Sequence, residues 1–385
     1  MVLTINAGSS SIKFALYNTG KHLAKVFSGQ IDRIGSADIT FTLNEPGDQI
    51  PCKATDYDSG IACLTGWLAQ NVNAAELKAI GHRVVQGMQQ TAPCLITTEL
   101  MKKLKQFIPY DPDHLPTEIK LIEALQARYP DIIQFACFDT GFHQTMPEVA
   151  KLLPIPRRFT QQGICRYGFH GLSYQYLMGE LGHIAGKKAA KGRVILAHLG
   201  SGASLCAVYK GKSIDTSMGF TPAGGVSMSN RSGDLDPGVA WIMMKTEKLS
   251  PNQFNHIINH ESGLLGISET SGDVSSLLKQ ETGDSRSAAA INLFCYQVKK
   301  WIGAFAAALG GVDTIVFSGG IGENAPLIRI RICEGLGFLG IELNKKRNNK
   351  NACLISKDNS RVAVHVIPTD EELMIAELVN KMIHA

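Results

Sequence analysis

Apolar and polar positions along this chain fall into two kinds of run. Five apolar-rich stretches, "AIGHRVV" (79–85), "IIQFACF" (132–138), "RVILAHL" (193–199), "TIVFSGG" (314–320) and "VAVHVIP" (362–368), show little alternation. Short runs of that kind predict strands of a sheet covered on both faces. Three other segments carry helical periodicity: 117–129 ("TEIKLIEALQARY"), 286–311 and 371–383. The long middle one runs into Gly310 and Gly311, a predicted helix stop. Strands interspersed with helices predict an α/β protein.

The pattern also repeats. "VLTINAGSSSIKFALY" (2–17) aligns without gaps to "VILAHLGSGASLCAVY" (194–209), matching Val2, Gly8, Ser9, Ala15 and Tyr17 to Val194, Gly200, Ser201, Ala207 and Tyr209. Each copy is an apolar run, a Gly/Ser turn and a second apolar run, which is the sequence form of a β-hairpin. The offset is half the chain, so the repeat predicts a duplicated domain, with two such loops facing one another across a cleft. At 385 residues the chain is also too long for one ordinary core. No low-complexity linker separates the halves, and a short crossover near 141–150 is the predicted boundary.

Composition narrows the reading only slightly. Hydrophobic residues at 44% and charged residues at 19% are ordinary for a globular chain with a sizeable interior. A net charge of +4, with no basic block beyond "NKKR" (344–347), makes no case for nucleic acid and suits a small anionic substrate equally well. Nine cysteines without a CxxC pair, mostly in apolar contexts, predict buried free thiols in a reducing compartment. No apolar run approaches the roughly 20 residues of a membrane helix, and no charged segment precedes an apolar leader, so the expectation is a cytoplasmic protein.

The candidate chemistry sits at the turns. In "NAGSSSIKF" (6–14), bare backbone and hydroxyls let N–H groups approach an anion, and Lys13 adds a positive charge suited to phosphate. Ser318-Gly319-Gly320-Ile321-Gly322 follows a strand and leads into a helix-compatible segment, which is the form of a nucleotide-accepting turn. Asp139 ends a predicted buried strand, where side chains meet a crevice. Arg83 and His170 stand beside glycines, and Arg231 lies in a long Gly/Ser loop ahead of Asp234 and Asp236. Together these residue types suit phosphoryl transfer, in which positioning and charge neutralisation do nearly all the catalysis.

These segments resemble the acetate kinase family, also called the acetate/propionate kinases. "NAGSSSIKF", "GHRVV", "FDTGFHQTMP", "YGFHG", "HLGSGAS", "DTSMGFTP", "RSGDLDPG", "SGLLGIS", "GGIGENA" and "IPTDEEL" look like family signatures, in the family order along nearly the whole chain. The resemblance implies two duplicated actin-like, Hsp70-like ATPase domains (the acetate and sugar kinase, Hsp70 and actin superfold), with the active site in the cleft between them. The implied domains are residues 1–145 plus 372–385 and residues 146–371.

Carried over position by position, the resemblance implies a first phosphate loop of Asn6, Ser9, Ser11 and Lys13 and a second of His198, Leu199, Gly200, Ser201 and Gly202. Gly319, Gly320, Ile321, Gly322 and Asn324 would take the adenosine side of ATP, joined by Asp273, Val274 and Ser275. Arg83 and Arg231 would hold the carboxylate and the transferring phosphoryl group. His170 would stabilise the transition state, and His114 would be a second active-site histidine. Val85, Phe169 and Pro222 would form the acyl pocket, and Asp139 and Glu371, with Asn6 nearby, would serve Mg²⁺ or Mn²⁺. The implied reaction is reversible transfer of the ATP γ-phosphoryl group to acetate, in a homodimer.

Departures from the family pattern keep two alternatives open: a kinase for propionate or butyrate, and a nucleotide-binding regulatory protein without turnover. Gln86 and Met88 replace a histidine and a glycine, and Asp113 and Leu115 flank His114 where an apolar residue and an asparagine are usual. Ser275 stands for an arginine and Ser201 for an asparagine, and Leu172 and Tyr174 alter the tail of "YGFHG".

Overall fold

The computed structural model of the chain describes residues 1–8, 11–20, 22–35, 39–44 and 47–384. It divides into two compact units, Met1–Gly141 with Asp370–Ala385, and Phe142–Thr369. The first is built on an eight-stranded sheet: β1 (Val2–Ala7), β2 (Ser11–Asn18), β3 (Ala24–Asp32), β4 (Thr40–Leu43), β5 (Gln49–Ile50), β6 (Ala79–Val84), β7 (Cys94–Leu95) and β8 (Ile133–Phe138). The strand order is β5-β4-β3-β2-β1-β6-β8-β7. Helices Tyr57–Asn71, Leu115–Arg128 and Glu371–Met382 pack against it. The core on one side gathers Leu3, Ile5, Phe14 and Ile80 from the sheet with Leu64 and Leu68 from the first helix. Trp67 meets the rings of Phe14, Phe27 and Phe41 at 5.2–5.9 Å, in tilted and edge-on contacts that favour aromatic pairs.

The second unit carries β9 (Arg193–Leu199), β10 (Ala203–Tyr209), β11 (Lys212–Thr216), β12 (Thr314–Ser318) and β13 (Ala363–Val366), ordered β11-β10-β9-β12-β13. The duplication is visible here. In both units a central strand pairs antiparallel with the next strand in sequence and parallel with a later one: β1 with β2 and β6, β9 with β10 and β12. A further parallel strand then follows, β8 or β13. Parallel pairing requires long crossovers, which place the helices on the sheet faces.

The gap-free alignment of the two hairpins needs one correction. Val2 pairs with Tyr17, but Val194 pairs with Val208 rather than Tyr209. The second turn is therefore one residue shorter, and the returning strand is shifted by one. Because side chains alternate faces, a one-residue shift inverts the whole strand. Tyr17 is buried at 1% exposure, whereas Tyr209 is 42% exposed. In pairing terms the counterpart of Lys13, opposite Asn6, is Ser204, opposite His198.

The predicted strands and helices form with small shifts at their ends. "TIVFSGG" gives up its glycines, since Gly319 and Gly320 already open a helix, Gly319–Asn324. The long helix is Ser285–Ala308 and stops as expected, with Gly310 and Gly311 at φ +68° and +129°. Its apolar face, including Ile291, Phe294, Val298, Ile302 and Phe305, is buried in its own unit. Among the described residues no helix is long and apolar enough to cross a membrane. The nine cysteines are all free, but only Cys137, Cys206, Cys295 and Cys333 are buried. Cys52, Cys63, Cys94 and Cys165 are half-buried and Cys353 is exposed, so the expectation of buried thiols holds for the four buried ones alone.

Two buried histidines tie stability to pH. His82, in the middle of the first sheet, meets Gln134 Oε1 at 2.7 Å, and His143 lies between Ser213 Oγ (2.9 Å) and the Phe169 carbonyl (3.0 Å). Burial pushes both imidazoles down to about 4, against an ordinary value of 6.5. Above pH 6.5 neither state binds the proton. Between 6.5 and about 4 the unfolded chain takes it up and the folded chain does not, so stability falls with acid. The expected loss is about 1.4 kcal/mol per pH unit for each histidine. Denaturant midpoints measured across that window check it: His143→Asn should flatten the slope, and an unchanged slope in both that variant and His82→Gln would contradict the assignment.

Candidate active site

In the first unit the chemistry gathers at the ends of β1, β6 and β8. The β1–β2 turn closes with Gly8 N–H donating to Ser11 O at 2.7 Å. Ser9, predicted for phosphate binding, lies outside the described residues. Asn6 and Lys13 are opposite one another across the hairpin. The Asn6 amide donates to Glu371 Oε2 and to Glu372 Oε1, each at 2.9 Å, and its Oδ1 accepts from Arg83 Nη1 at 3.1 Å. Arg83, from β6, turns its Nε (3.1 Å) and Nη2 (2.5 Å) onto Oδ2 of Asp139, just past the end of β8. Burial opposes the charge on Arg83, but Asp139 and Glu371 outweigh it and hold the guanidinium above its ordinary value. Glu372 is pushed up by burial and then by the charge of Glu371.

A second buried layer stands behind Arg83. Val85 N–H donates to both carboxyl oxygens of Glu118, at 3.1 and 3.2 Å. Glu118 is held well above the carboxylate range, by burial first and then by Asp111. His114, the N-terminal cap position of Leu115–Arg128, places Nδ1 2.8 Å from Asp111 Oδ1. Asp111, which meets His114, is buried, and Asp113 is half-exposed. Gln86 and Met88, the departures after "GHRVV", form a buried turn in which Met88 N–H donates to Gln86 Oε1 at 2.9 Å.

In the second unit two rings stack at one loop. His170 holds the left-handed region at φ +59°, an uncommon place for a side chain larger than glycine and one that packing must maintain. Its ring stacks on His198 with centroids 4.3 Å apart. Its Nδ1 meets Ser204 Oγ at 2.9 Å, and Ser204 Oγ meets Tyr174 Oη at 2.5 Å. A Cβ added at Gly202 would lie 3.3 Å from His170 Nε2 and 3.8 Å from Arg231 Nη1. Glycine there keeps the turn open to both groups. The Arg231 loop is tied to the same turn, with Ser229 N–H donating to Ser201 O at 3.1 Å and Arg231 Nη1 donating to the carbonyl of buried Pro222 at 3.4 Å. Phe169, also buried, precedes His170.

Beside this turn opens a cavity of about 760 Å³. It is lined by the predicted Gly200, Ser201, Asp273, Val274, Ser275, Gly320, Ile321 and Asn324. Leu199, Gly319 and Gly322 are buried and absent from that lining. At Gly319, φ is +75° and an added Cβ would lie 2.7 Å from Leu199 O. Pattern reading missed Lys279, which lines the same cavity one helical turn after Ser275. It also missed Glu323, whose Oε1 accepts from the backbone N–H groups of Gly319 (2.8 Å) and Thr369 (3.2 Å). The (i, i+4) spacing of Ser275 and Lys279 was available as a signal; the grip of Glu323 was not.

The repeated strand order, the paired small-residue hairpins and the cavity with its glycine turn define a duplicated actin-like α/β protein of the phosphate-handling kind. The chain belongs to the acetokinase family, whose model matches residues 1–377. It is 42% identical over 388 residues to an acetate kinase of Rhodopseudomonas palustris, covering 98% of this chain and 96% of that one. It is 42% identical over 399 residues to an acetate kinase of Thermoanaerobacterium thermosaccharolyticum, covering 100% and 99%. Among solved structures it resembles a propionate kinase from Francisella tularensis (TM-score 0.90, 36% identity, 98% of each chain). It also resembles the acetate kinase of Porphyromonas gingivalis (TM-score 0.87, 35% identity, 100% and 99%). The chain is an enzyme of a phosphotransferase family with a carboxyl group as acceptor.

The Tyr174 Oη–Ser204 Oγ–His170 Nδ1 chain has a directed form in which the tyrosine hydroxyl, the stronger acid, donates to Ser204 and Ser204 donates to Nδ1; in that form Nε2 carries the ring proton. Tyr174→Phe and Ser204→Ala should lower kcat roughly tenfold or more, with a displaced pH–rate profile and little change in KM. Steady-state kinetics across pH on the two variants would show it; wild-type kcat and profile in both would refute the relay.

Proposed function

We propose that this chain transfers the γ-phosphoryl group of ATP reversibly to the carboxylate of acetate, giving acetyl phosphate and ADP. The observation that carries this reading is the full-length family match together with the Arg83–Asp139–Asn6 cluster in one unit and the His170–Gly202–Arg231 cluster in the other. A carboxylate of pKa about 4–5 is already ionised at neutral pH, so its attack needs no general base. What it needs is relief from repulsion by the phosphates. Arg83, fixed in plane by Asp139, neutralises the carboxylate, and on the first unit's side Val85, next but one along the chain, supplies apolar surface for its methyl group. Arg231 and His170 hold the transferring phosphoryl group, a reading supported by Arg231 Nη1 and His170 Nε2 both lying beside the Gly202 turn. The second small-residue turn and the 760 Å³ cavity take the nucleotide, with the Lys279 ammonium in its wall beside Ser275.

The residues around Asn6 fit a hard divalent cation. Glu371 and Glu372 share one amide, and two crowded carboxylates are oxygen donors whose mutual repulsion a cation relieves. Among the described residues no group of three or more His, Cys, Asp or Glu side chains forms a cage. That suits Mg²⁺, which is usually held by one or two carboxylates together with water and substrate phosphates. Glu371 would hold it, next to Asn6. Asp139 would join it through the oxygen turned away from Arg83, while its Oδ2 accepts from Arg83 and positions that arginine. When bound, Mg²⁺ (or Mn²⁺) supplies charge neutralisation of the phosphates.

We also propose a cytoplasmic homodimer. Trp241 and Ile242, 59% and 44% exposed on the helix Pro237–Thr246 of the second unit, offer apolar surface for a second copy.

The test is trapping of acyl phosphate as hydroxamate with Mg-ATP and the acids from formate to butyrate. Acetate should turn over fastest, and Arg231→Ala and Arg83→Ala should each lose roughly a hundredfold or more. Nucleotide binding without hydroxamate for any acid would overturn the reading.

A further inference from the structure

Cys52 and Cys63 are paired in a way the other cysteines are not. Cys63 lies in the second turn of the helix Tyr57–Asn71, and Cys52 in the segment that leads into it. Their Sγ atoms are 2.7 Å apart, and both side chains are half-buried. A disulfide needs its sulfurs at about 2.05 Å, so closure asks for little movement of either side chain. Partial exposure also admits a small reagent, whereas Cys137, Cys206, Cys295 and Cys333 are buried with their thiols pushed up by burial.

The segment between the two sulfurs holds a functional loop. Asp56 and Ser59 form a capping box at the helix entry. The next residue, Tyr57, donates its hydroxyl to Gly8 O at 3.0 Å and lies 3.4 Å from Ser11 O, the two described ends of the first small-residue turn. A covalent tie from Cys52 to Cys63 would fix the path of the chain through Tyr57, and so the carbonyls on which the turn is hung. We propose that Cys52 and Cys63 form a reversible dithiol–disulfide site, oxidised by small-molecule disulfides, whose closure fixes the Tyr57 contacts to Gly8 O and Ser11 O and so the start of β2. The site itself stands apart from the proposed kinase reaction; only its consequence for turnover rests on that reading.

The step balances with one incoming disulfide. The Cys63 thiolate attacks it, forming a mixed disulfide and releasing one small thiol. The Cys52 thiolate then attacks the Cys63 sulfur, forming the protein disulfide and releasing the second. Two electrons and the two thiol protons of the pair end on the released thiols. Burial, together with the Cys63 sulfur, pushes the Cys52 thiol up to about 11, which makes Cys52 the resolving thiol of the second step rather than the entering nucleophile.

Glutathione disulfide on the purified full-length chain, followed by alkylation, intact mass and a non-reducing peptide map, tests the site without any activity assay. The expected product has lost two hydrogens and yields a peptide linking Cys52 to Cys63, reversed by dithiothreitol. In Cys52→Ser the expected product is instead a stable glutathione adduct on Cys63. Hydrogen exchange at residues 11–14 should slow severalfold in the oxidised wild type and remain unchanged in Cys52→Ser. Full alkylation of both cysteines after oxidation, or a link to any other cysteine, overturns the site. Unaltered exchange in the linked protein overturns its coupling to the start of β2.

Discussion

A carboxylate with no exposure must be matched by a cation held in fixed geometry, and in the first unit that pair is Asp139 and Arg83. Removing one member of such a pair leaves the other buried and uncompensated, at a cost of about 3–5 kcal/mol. The pair also fixes direction. Both Arg83 contacts to the carboxylate run to Oδ2, while Nη1 reaches the other way to Asn6. Asn6 in turn touches Glu371 and Glu372 on the helix that returns from the C-terminus. One guanidinium thus ties three strand ends and a terminal helix into a single charged surface. The parallel pairing of β1, β6 and β8 makes this possible, because parallel strands deliver their ends to the same edge of a sheet.

The second unit solves a related problem with neutral groups. His170, at the N-terminal cap position of the helix Gly171–Ile184, stacks on His198 near the end of β9, and each has a hydroxyl on its Nδ1: Ser204 for His170 and Ser173 for His198. Hydrogen bonds to one ring nitrogen orient the ring and select what the other presents. Where the first hairpin places Lys13 opposite Asn6, the second places Ser204 opposite His198. A turn shortened by one residue therefore puts a hydroxyl, which meets a histidine ring, where the first hairpin carries a cation.

Most of the architecture was legible in the chain. Apolar runs became strands, the glycine pair ended the long helix, and the echo between residues 2–17 and 194–209 became two copies of one strand order. The candidate site was legible where chemistry concentrates at strand ends and short turns, as with Arg83, Asp139, His170 and the glycines before Asn324. Residues that act through the fold escaped notice. Glu118 reads as one more polar residue of an amphipathic helix until its oxygens are found on Val85 N–H. Tyr174 reads as a departure from "YGFHG", and becomes a partner of the site only because Ser204, thirty residues away, lies against its hydroxyl.

The sequence by itself determined the elements, the duplication and the chemical inventory, because hydrophobic period, turn residues and motif order are local properties of the chain. Tertiary structure alone decided which acid faces which base. Asp111 meets His114, Glu371 and Glu372 share Asn6, and Asp139 Oδ2 accepts from Arg83. Those pairings depend on register and burial. A one-residue shift moves a side chain to the opposite face of a sheet, and loss of water decides which charges must find partners; neither is written in the spacing of residues along the chain.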